Sequence, residues 1–237
     1  MNSCLTKQST QKIFKILIII IACLFITGCK ESKTEMKEDL LNINYNSDGN
    51  LADLKQYDTK NPVAALYIEK YGTIVIELYP EYAPNTVANF ISLVKSGFYD
   101  NNTLHRLVKG FVLQGGDPTG TGAGGPDYTI KGEFSKNGIK NELKHKKGIV
   151  SMARTANSYD SAGSQFFIML GRASYLDGEY AAFGKVIDGW DNIEKIISHE
   201  QVADESTGQL KTNLKIKKTL IDLKGKNYPE VEKVAEW

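Results

Sequence analysis

Two short apolar runs joined by a two-residue turn, Leu104–Val108 and Phe111–Gln114 with Lys109-Gly110 between them, constrain this chain more than any other stretch. Each run has the length and β-branched content of a strand, and Lys-Gly at the junction is a turn signal. Strands joined so tightly lie side by side. Residues two apart on a strand share a face, so Arg106 and Val108 point one way on the first strand. On the second, either Phe111 and Leu113 or Val112 and Gln114 form the matching pair. A cation, an aromatic ring and a side-chain amide can therefore meet on one patch. Taken singly, each has a plain reading: a surface cation, a core ring and a polar strand end.

Most of the remaining chain repeats the short-strand pattern. Val63–Glu69 and Gly72–Tyr79 flank Lys70-Tyr-Gly72 as a hairpin. Gly148–Ala153, Gln165–Leu170 and Ala182–Val186 read as further strands, and Leu214–Leu223, alternating apolar residues with Lys, reads as an edge-like last strand. Helical spacing occurs in two places. Val87, Phe90, Ile91 and Val94 recur three and four apart behind Pro84, and Ile193, Ile196 and Ile197 share one face of Trp190–Ile197. Many short strands with two firm helices predict a closed barrel capped by helices. Glu133–Lys147 reads as a polar connector, Thr155–Ser164 as a loop, His199–Asn213 as a polar excursion, and Lys224–Trp237 as a tail, frayed or turned into a short helix after Pro229.

The N-terminus has a different composition. Lys7, Lys12 and Lys15 precede the apolar run Ile16–Ile26, which ends in Ile26-Thr-Gly-Cys29. A charged start, a short apolar run and a small residue before cysteine describe a cleaved export signal. The run falls short of the roughly 20 apolar residues a spanning helix needs. Its end resembles the lipobox of bacterial lipoproteins, which implies cleavage before Cys29 and a lipid on its thiol; multiple acyl chains suffice for stable anchoring. The expected organisation is a signal over 1–28, a lipidated Cys29 and flexible tether over 29–61, one domain over 62–224 and a tail over 225–237. Cys4 and Cys23 leave with the signal, so no disulfide is expected. Losing three lysines and no acid takes the formal net charge from +1 to −2, which offers nucleic acid no general attraction.

Common chemistries fail on inventory. His105, His145 and His199 show no metal-ligand spacing, and His105 reads as a buried or site-supporting residue rather than a general base. Ala162-Gly-Ser-Gln-Phe166 lacks the second glycine of a nucleophile elbow. Gly120–Gly125 matches G-x-G-x-x-G, but Pro126-Asp127 follows where a nucleotide site needs a helix to open; the bare loop suits close approach of an extended peptide instead.

Phe111-Val-Leu-Gln-Gly-Gly-Asp117, Ser151-Met-Ala-Arg154, Gly163-Ser-Gln-Phe-Phe-Ile168, Tyr175-Leu-Asp-Gly178 and Ala182-Phe-Gly-Lys-Val186 together resemble the cyclophilin family of peptidyl-prolyl isomerases, in order, from about Pro62 to Leu223. The resemblance implies a mainly β fold, a closed antiparallel eight-stranded barrel capped by two α-helices. It implies isomerisation of X-Pro bonds without metal or cofactor. By the same resemblance Arg106 is the catalytic arginine, Phe111, Val112, Phe167 and Leu176 line the proline pocket, and Gln114 orients the substrate backbone and Arg106. Ala153, Arg154 and Gln165 edge the groove beside the residue before proline, and Gly122 lies in its glycine loop. Val112, Arg154, Tyr175 and Tyr180 stand where methionine, asparagine, tryptophan and histidine are common in the family, so Tyr175 and Tyr180 join the expected groove residues and alter the surface that binds cyclosporin. The Ser158–Ala162 stretch is slightly longer, a form that looks bacterial. The expected partners are proline-containing unfolded or extended chains outside the cytoplasm and, through Cys29, a bacterial membrane, with the protein a monomer. The competing expectation is a non-catalytic peptide-binding module on the same fold.

Overall fold

A computed structural model describes residues Leu54–Glu236, so the expected signal, Cys29 and most of the expected tether lie outside the described residues. Its elements are β1 (Val63–Ile68), β2 (Gly72–Leu78), α1 (Pro84–Lys95), β3 (Thr103–Val108), β4 (Val112–Asp117), β5 (Tyr128–Ile130), β6 (Ile149–Met152), β7 (Phe166–Met169), β8 (Ala182–Asp188), α2 (Trp190–His199), β9 (Val202–Asp204), β10 (Gln209–Asp222) and β11 (Lys233–Glu236). Antiparallel pairing runs β1–β2–β8–β6–β7–β4–β3–β10 and returns from β10 to β1, closing the expected eight-stranded barrel.

Strand periodicity decides what fills it. On β2, Ile74, Ile76 and Leu78 belong to the main core, while Val75 faces a satellite cluster with Leu54, Val63 and Ala65. Strands β4 and β7 behave likewise: Leu113, Phe166 and Ile168 face the core, and Val112, Phe167 and Met169 face a second cluster outside it. Both helices add apolar side chains to the main core, Val87, Phe90 and Ile91 from α1 and Ile193 and Ile196 from α2. The Phe90 ring meets Phe166 edge-on at 5.7 Å. Proline at the first turn suits the start of α1, yet Ala83 there provides no side-chain cap. The buried Glu133 carboxylate does so from a distant loop, accepting from the amides of Asn85 (3.0 Å) and Thr86 (2.6 Å) and from the Thr86 hydroxyl (2.6 Å).

Four expectations change. The last barrel strand, β10, is no edge: it pairs with both β1 and β3. The polar excursion before it folds into a hairpin, β9 pairing with β10. The tail is neither frayed nor helical over its end, since β11 pairs with β5 and the Asn85 side chain brackets the backbone of Glu232. The packed unit also begins before residue 62. Leu54 is buried against Val63 and Val75, Tyr57 donates to Asp188 at 2.5 Å, and Thr59 and Asn61 both bond Glu77.

Candidate active site

The patch expected from the two linked runs forms on the outer face of β3, β4 and β7. Arg106 lies opposite Gln114, and Gln114 opposite Phe167. Because β4 starts at Val112, Val112 and Gln114 are the pair that share the site face, and Phe111 reaches it from the turn, its ring centre 6.0 Å from the Arg106 guanidinium.

A directed hydrogen-bond relay fixes the polar half. A guanidinium can only donate, which orients every amide after it. Arg106 Nη1 donates to Gln114 Oε1 (3.0 Å), Gln114 Nε2 to Gln165 Oε1 (3.0 Å), and Gln165 Nε2 to the carbonyls of Gly122 and Gly124 (both 2.9 Å). The glycine loop receiving those bonds is knotted by Asp117, a residue whose role in the site the sequence did not disclose. Its buried carboxylate accepts from Thr119 N (2.7 Å), Thr119 Oγ1 (2.8 Å), Thr121 N (3.0 Å) and Gly122 N (2.6 Å). Burial pushes the Asp117 pKa up, but these donors outweigh it and hold the group down at about 2. Gly116 lets the strand run this close to its neighbour: its φ is +87°, and a Cβ would sit 2.4 Å from the Ser164 carbonyl.

The apolar half is one cluster. Val112, Phe167 and Leu176 are buried in it, with Phe111, Ala153 and Tyr180 packed at its margin. Exposed Tyr175 stacks on Phe111 at 6.1 Å, and Tyr180 meets Phe167 edge-on at 5.8 Å. Beneath Phe167 lies His145, which sequence inventory passed over as scattered. Its ring stacks on Phe167 at 6.1 Å and is held by Ser151 and Asp177, both at 3.1 Å. Burial pulls the His145 pKa below its ordinary value against the opposing pull of Asp177. His105 is also buried, and burial likewise lowers its pKa. Both rings are buried, in keeping with the reading of His105 as a buried residue.

Arg154 differs from a free groove edge. It borders a cleft of about 710 Å³ with Gln114, Gly122, Ala153 and Gln165. Its side chain is only 8% exposed and bonds the carbonyls of Glu179 (3.1 Å) and Thr155 (2.9 Å). Three rings enclose the guanidinium, Tyr180 at 4.6 Å, Tyr159 at 5.0 Å and Phe134 at 5.5 Å. It braces the wall rather than offering a free cation. Arg106 is the opposite case. Burial lowers its pKa, opposed by Tyr175 and Tyr180, yet a guanidinium stays protonated at any working pH. Among the described residues no group of His, Cys, Asp and Glu side chains is placed to hold a metal ion.

Residues 64–220 match the family described as "Cyclophilin type peptidyl-prolyl cis-trans isomerase/CLD". With that match over most of its length, the chain belongs to the cyclophilin-type peptidyl-prolyl cis-trans isomerase family. It is 49% identical over 122 residues to peptidyl-prolyl cis-trans isomerase B of Bacillus subtilis, covering 52% of this chain and 81% of that one. It is 41% identical over 138 residues to a peptidyl-prolyl cis-trans isomerase-like 2 protein of Cryptococcus neoformans, covering 58% of this chain but only 24% of that much longer relative. Among solved structures, a cyclophilin-type isomerase of Cryptosporidium parvum, crystallised in the presence of the dipeptide Ala-Pro, superimposes with a TM-score of 0.60 at 34% identity, over 68% of this chain and 98% of that one.

Proposed function

We propose that this protein is a peptidyl-prolyl cis-trans isomerase acting on proline-containing, extended or newly exported polypeptides. In this reading it is anchored outside the cytoplasm of a bacterium by lipid on Cys29, and it works as a monomer without cofactor or nucleic acid. The observation that carries the catalytic part is a fixed cation, Arg106, at the rim of the apolar patch of Phe111, Val112, Phe167 and Leu176. The leader and the Cys29 motif support the anchor.

The chemistry breaks no bond. Rotation about a peptide bond meets a barrier of roughly 20 kcal/mol, set by amide resonance. As an X-Pro bond twists, the proline nitrogen becomes pyramidal and gains a lone pair. A donor aimed at that lone pair binds the twisted state better than either planar isomer, which lowers the barrier. Arg106 engages one N–H on Nε and one on Nη1 within the protein, and the reading assigns this task to Nη2, which neither of those bonds uses. The proline ring sits on Phe167 between Val112 and Leu176, and the chain before it follows the cleft past Ala153, Gln165 and the Gly122 carbonyl. A hundred-thousandfold acceleration needs about 7 kcal/mol, whereas one charge-assisted hydrogen bond contributes roughly 1.5–3 kcal/mol. The remainder comes from holding the peptide in a water-poor groove.

A proline-peptide isomerisation assay on the full chain tests this. Arg106→Ala should cut kcat/KM about 10- to 100-fold without moving the unfolding midpoint. Parent and variant running together at the uncatalysed rate would leave the alternative, a peptide-binding module without catalysis. Fatty-acid labelling that survives Cys29→Ser would remove the anchor.

A further inference from the structure

The relay through Gln114 accounts for one edge of the Arg106 guanidinium. The other edge is held from outside that relay, by a backbone group. Arg106 Nε donates to the backbone carbonyl of Thr207 at 2.7 Å, in the turn between β9 and β10. Resting on the isomerase reading above, we propose that Thr207 is a positioning residue of the reaction. Its carbonyl clamps Arg106 from the side opposite Gln114, and the β9–β10 hairpin exists in the site to aim that carbonyl.

The geometry of the turn supports this at each step. Gln209 pairs with Arg106 in the sheet register, and Leu107 N donates to the Gly208 carbonyl at 2.8 Å, which seats the turn on the backbone of β3. Gly208 turns the chain at φ +75° and donates to the Asp204 carbonyl at 2.7 Å. A Cβ on Gly208 would come within 2.5 Å of Val108 Cγ2 and 2.9 Å of the Leu107 carbonyl, so the fit leaves no room for a side chain. From the far side, the Asp204 carboxylate gathers Ser206 N (2.9 Å), Ser206 Oγ (2.7 Å) and Thr207 Oγ1 (3.1 Å). The turn is therefore braced on both sides of the one carbonyl that faces the arginine.

Two acceptors matter more than one because of the shape of the donor. An arginine side chain is long, and a single contact at Nη1 tethers its head without setting the plane. Acceptors on Nε and Nη1, lying on different edges, fix the plane and leave Nη2 directed. Selective binding of the twisted imide depends on that direction. A swinging cation would meet planar and twisted peptides alike and lose rate without losing binding.

Two full-chain variants separate the clamp from a merely structural turn. Asp204→Ala unfastens the turn without touching Arg106, and Gly208→Val pushes it off β3. Each is compared with the parent by kcat and KM on a proline peptide, and by the Nε–H signal of Arg106 in arginine-labelled protein. The parent should show an Nε–H protected from exchange with water. Both variants should lose that protection, and kcat should fall roughly tenfold, further for Gly208→Val, with KM within about twofold. If the turn amides shift while Nε–H protection and kcat stay at the parent's values, or if KM alone rises, the proposal is overturned. Should Gly208→Val fail to fold, Asp204→Ala decides. The Nε–H signal reads the clamp even if the parent proves inactive, so failure of the clamp and failure of the isomerase reading leave different marks.

Discussion

Strands β4 and β7 serve the molecule with both faces, and the two faces obey different rules. Inward, Leu113, Phe166 and Ile168 are fully buried, and Phe166 lies edge-on to Phe90 and to Tyr99 at 5.7 and 5.6 Å. Outward, one residue over, Val112, Gln114 and Phe167 mix apolar surface with an amide that takes part in a directed relay. A slip of one residue would exchange the two sets, so register holds fold and site together. The inner face answers to volume alone, the outer face to direction as well.

The largest expected effect is on the inner face. Phe166→Ala should cost about 3–5 kcal/mol of stability, read from denaturant unfolding. Phe167→Ala, beside an open groove, should cost about half as much but raise KM for proline peptides. Equal stability losses would erase the distinction between the faces. Next comes Glu133→Ala, which removes the cap of α1 and should lower stability by about 1–2 kcal/mol with kcat/KM unchanged. A change in rate would mean that α1 reaches the site. Gln165→Ala cuts the relay between Gln114 and the glycine loop, and should slow isomerisation about tenfold with a smaller loss of stability. Full activity there would mean that the relay is structural only.

The smallest effect is a slope with pH. Burial holds the pKa values of His105 and His145 below the ordinary histidine value, so between those lowered values and about 6.5 the unfolded chain binds more protons than the folded one. Stability from these groups is therefore complete above the unfolded value and is lost as pH falls through that window. Asp117 adds a further loss as pH drops from the ordinary carboxylate value of 3.8 toward about 2. Melting midpoints taken from about pH 7.5 down to about 5 should decline, and His145→Gln should flatten the decline. Over the neutral range the proposed isomerisation should keep a level rate, because the charged group assigned to it does not titrate. A bell-shaped rate profile would bring a histidine back into the mechanism.

Apolar runs of strand length located the eight barrel strands, since each buries a face and must carry a pattern to do so. Strands β5, β9 and β11 left no such pattern. Val202–Asp204 and Lys233–Glu236 are too short to show a period, and each is placed by its pairing with another strand. Arg106, Phe111, Gln114, Phe167 and Leu176 were legible through their motifs, and the structure brings them together. Arg154 was legible as a neighbour of the groove but not as an enclosed brace, because Phe134, Tyr159 and Tyr180 reach it from separate segments. Glu133 caps a helix that starts 49 positions or so upstream, beyond any local pattern. Thr207 could not be found at all, since a backbone carbonyl is common to every residue type.

The ring shuts where Val63 meets Asp222, so the first strand of the wall to be synthesised waits for the last. Until then the sheet is open, and β1 and β3 each present a bare edge to any other chain nearby. A ribosome stalled, or a protease cutting, before Gln209 would release a sticky half-product in place of a weakened fold. For a protein whose proposed work is to help other chains finish folding, the hazard lies in the interval before its own last strand arrives.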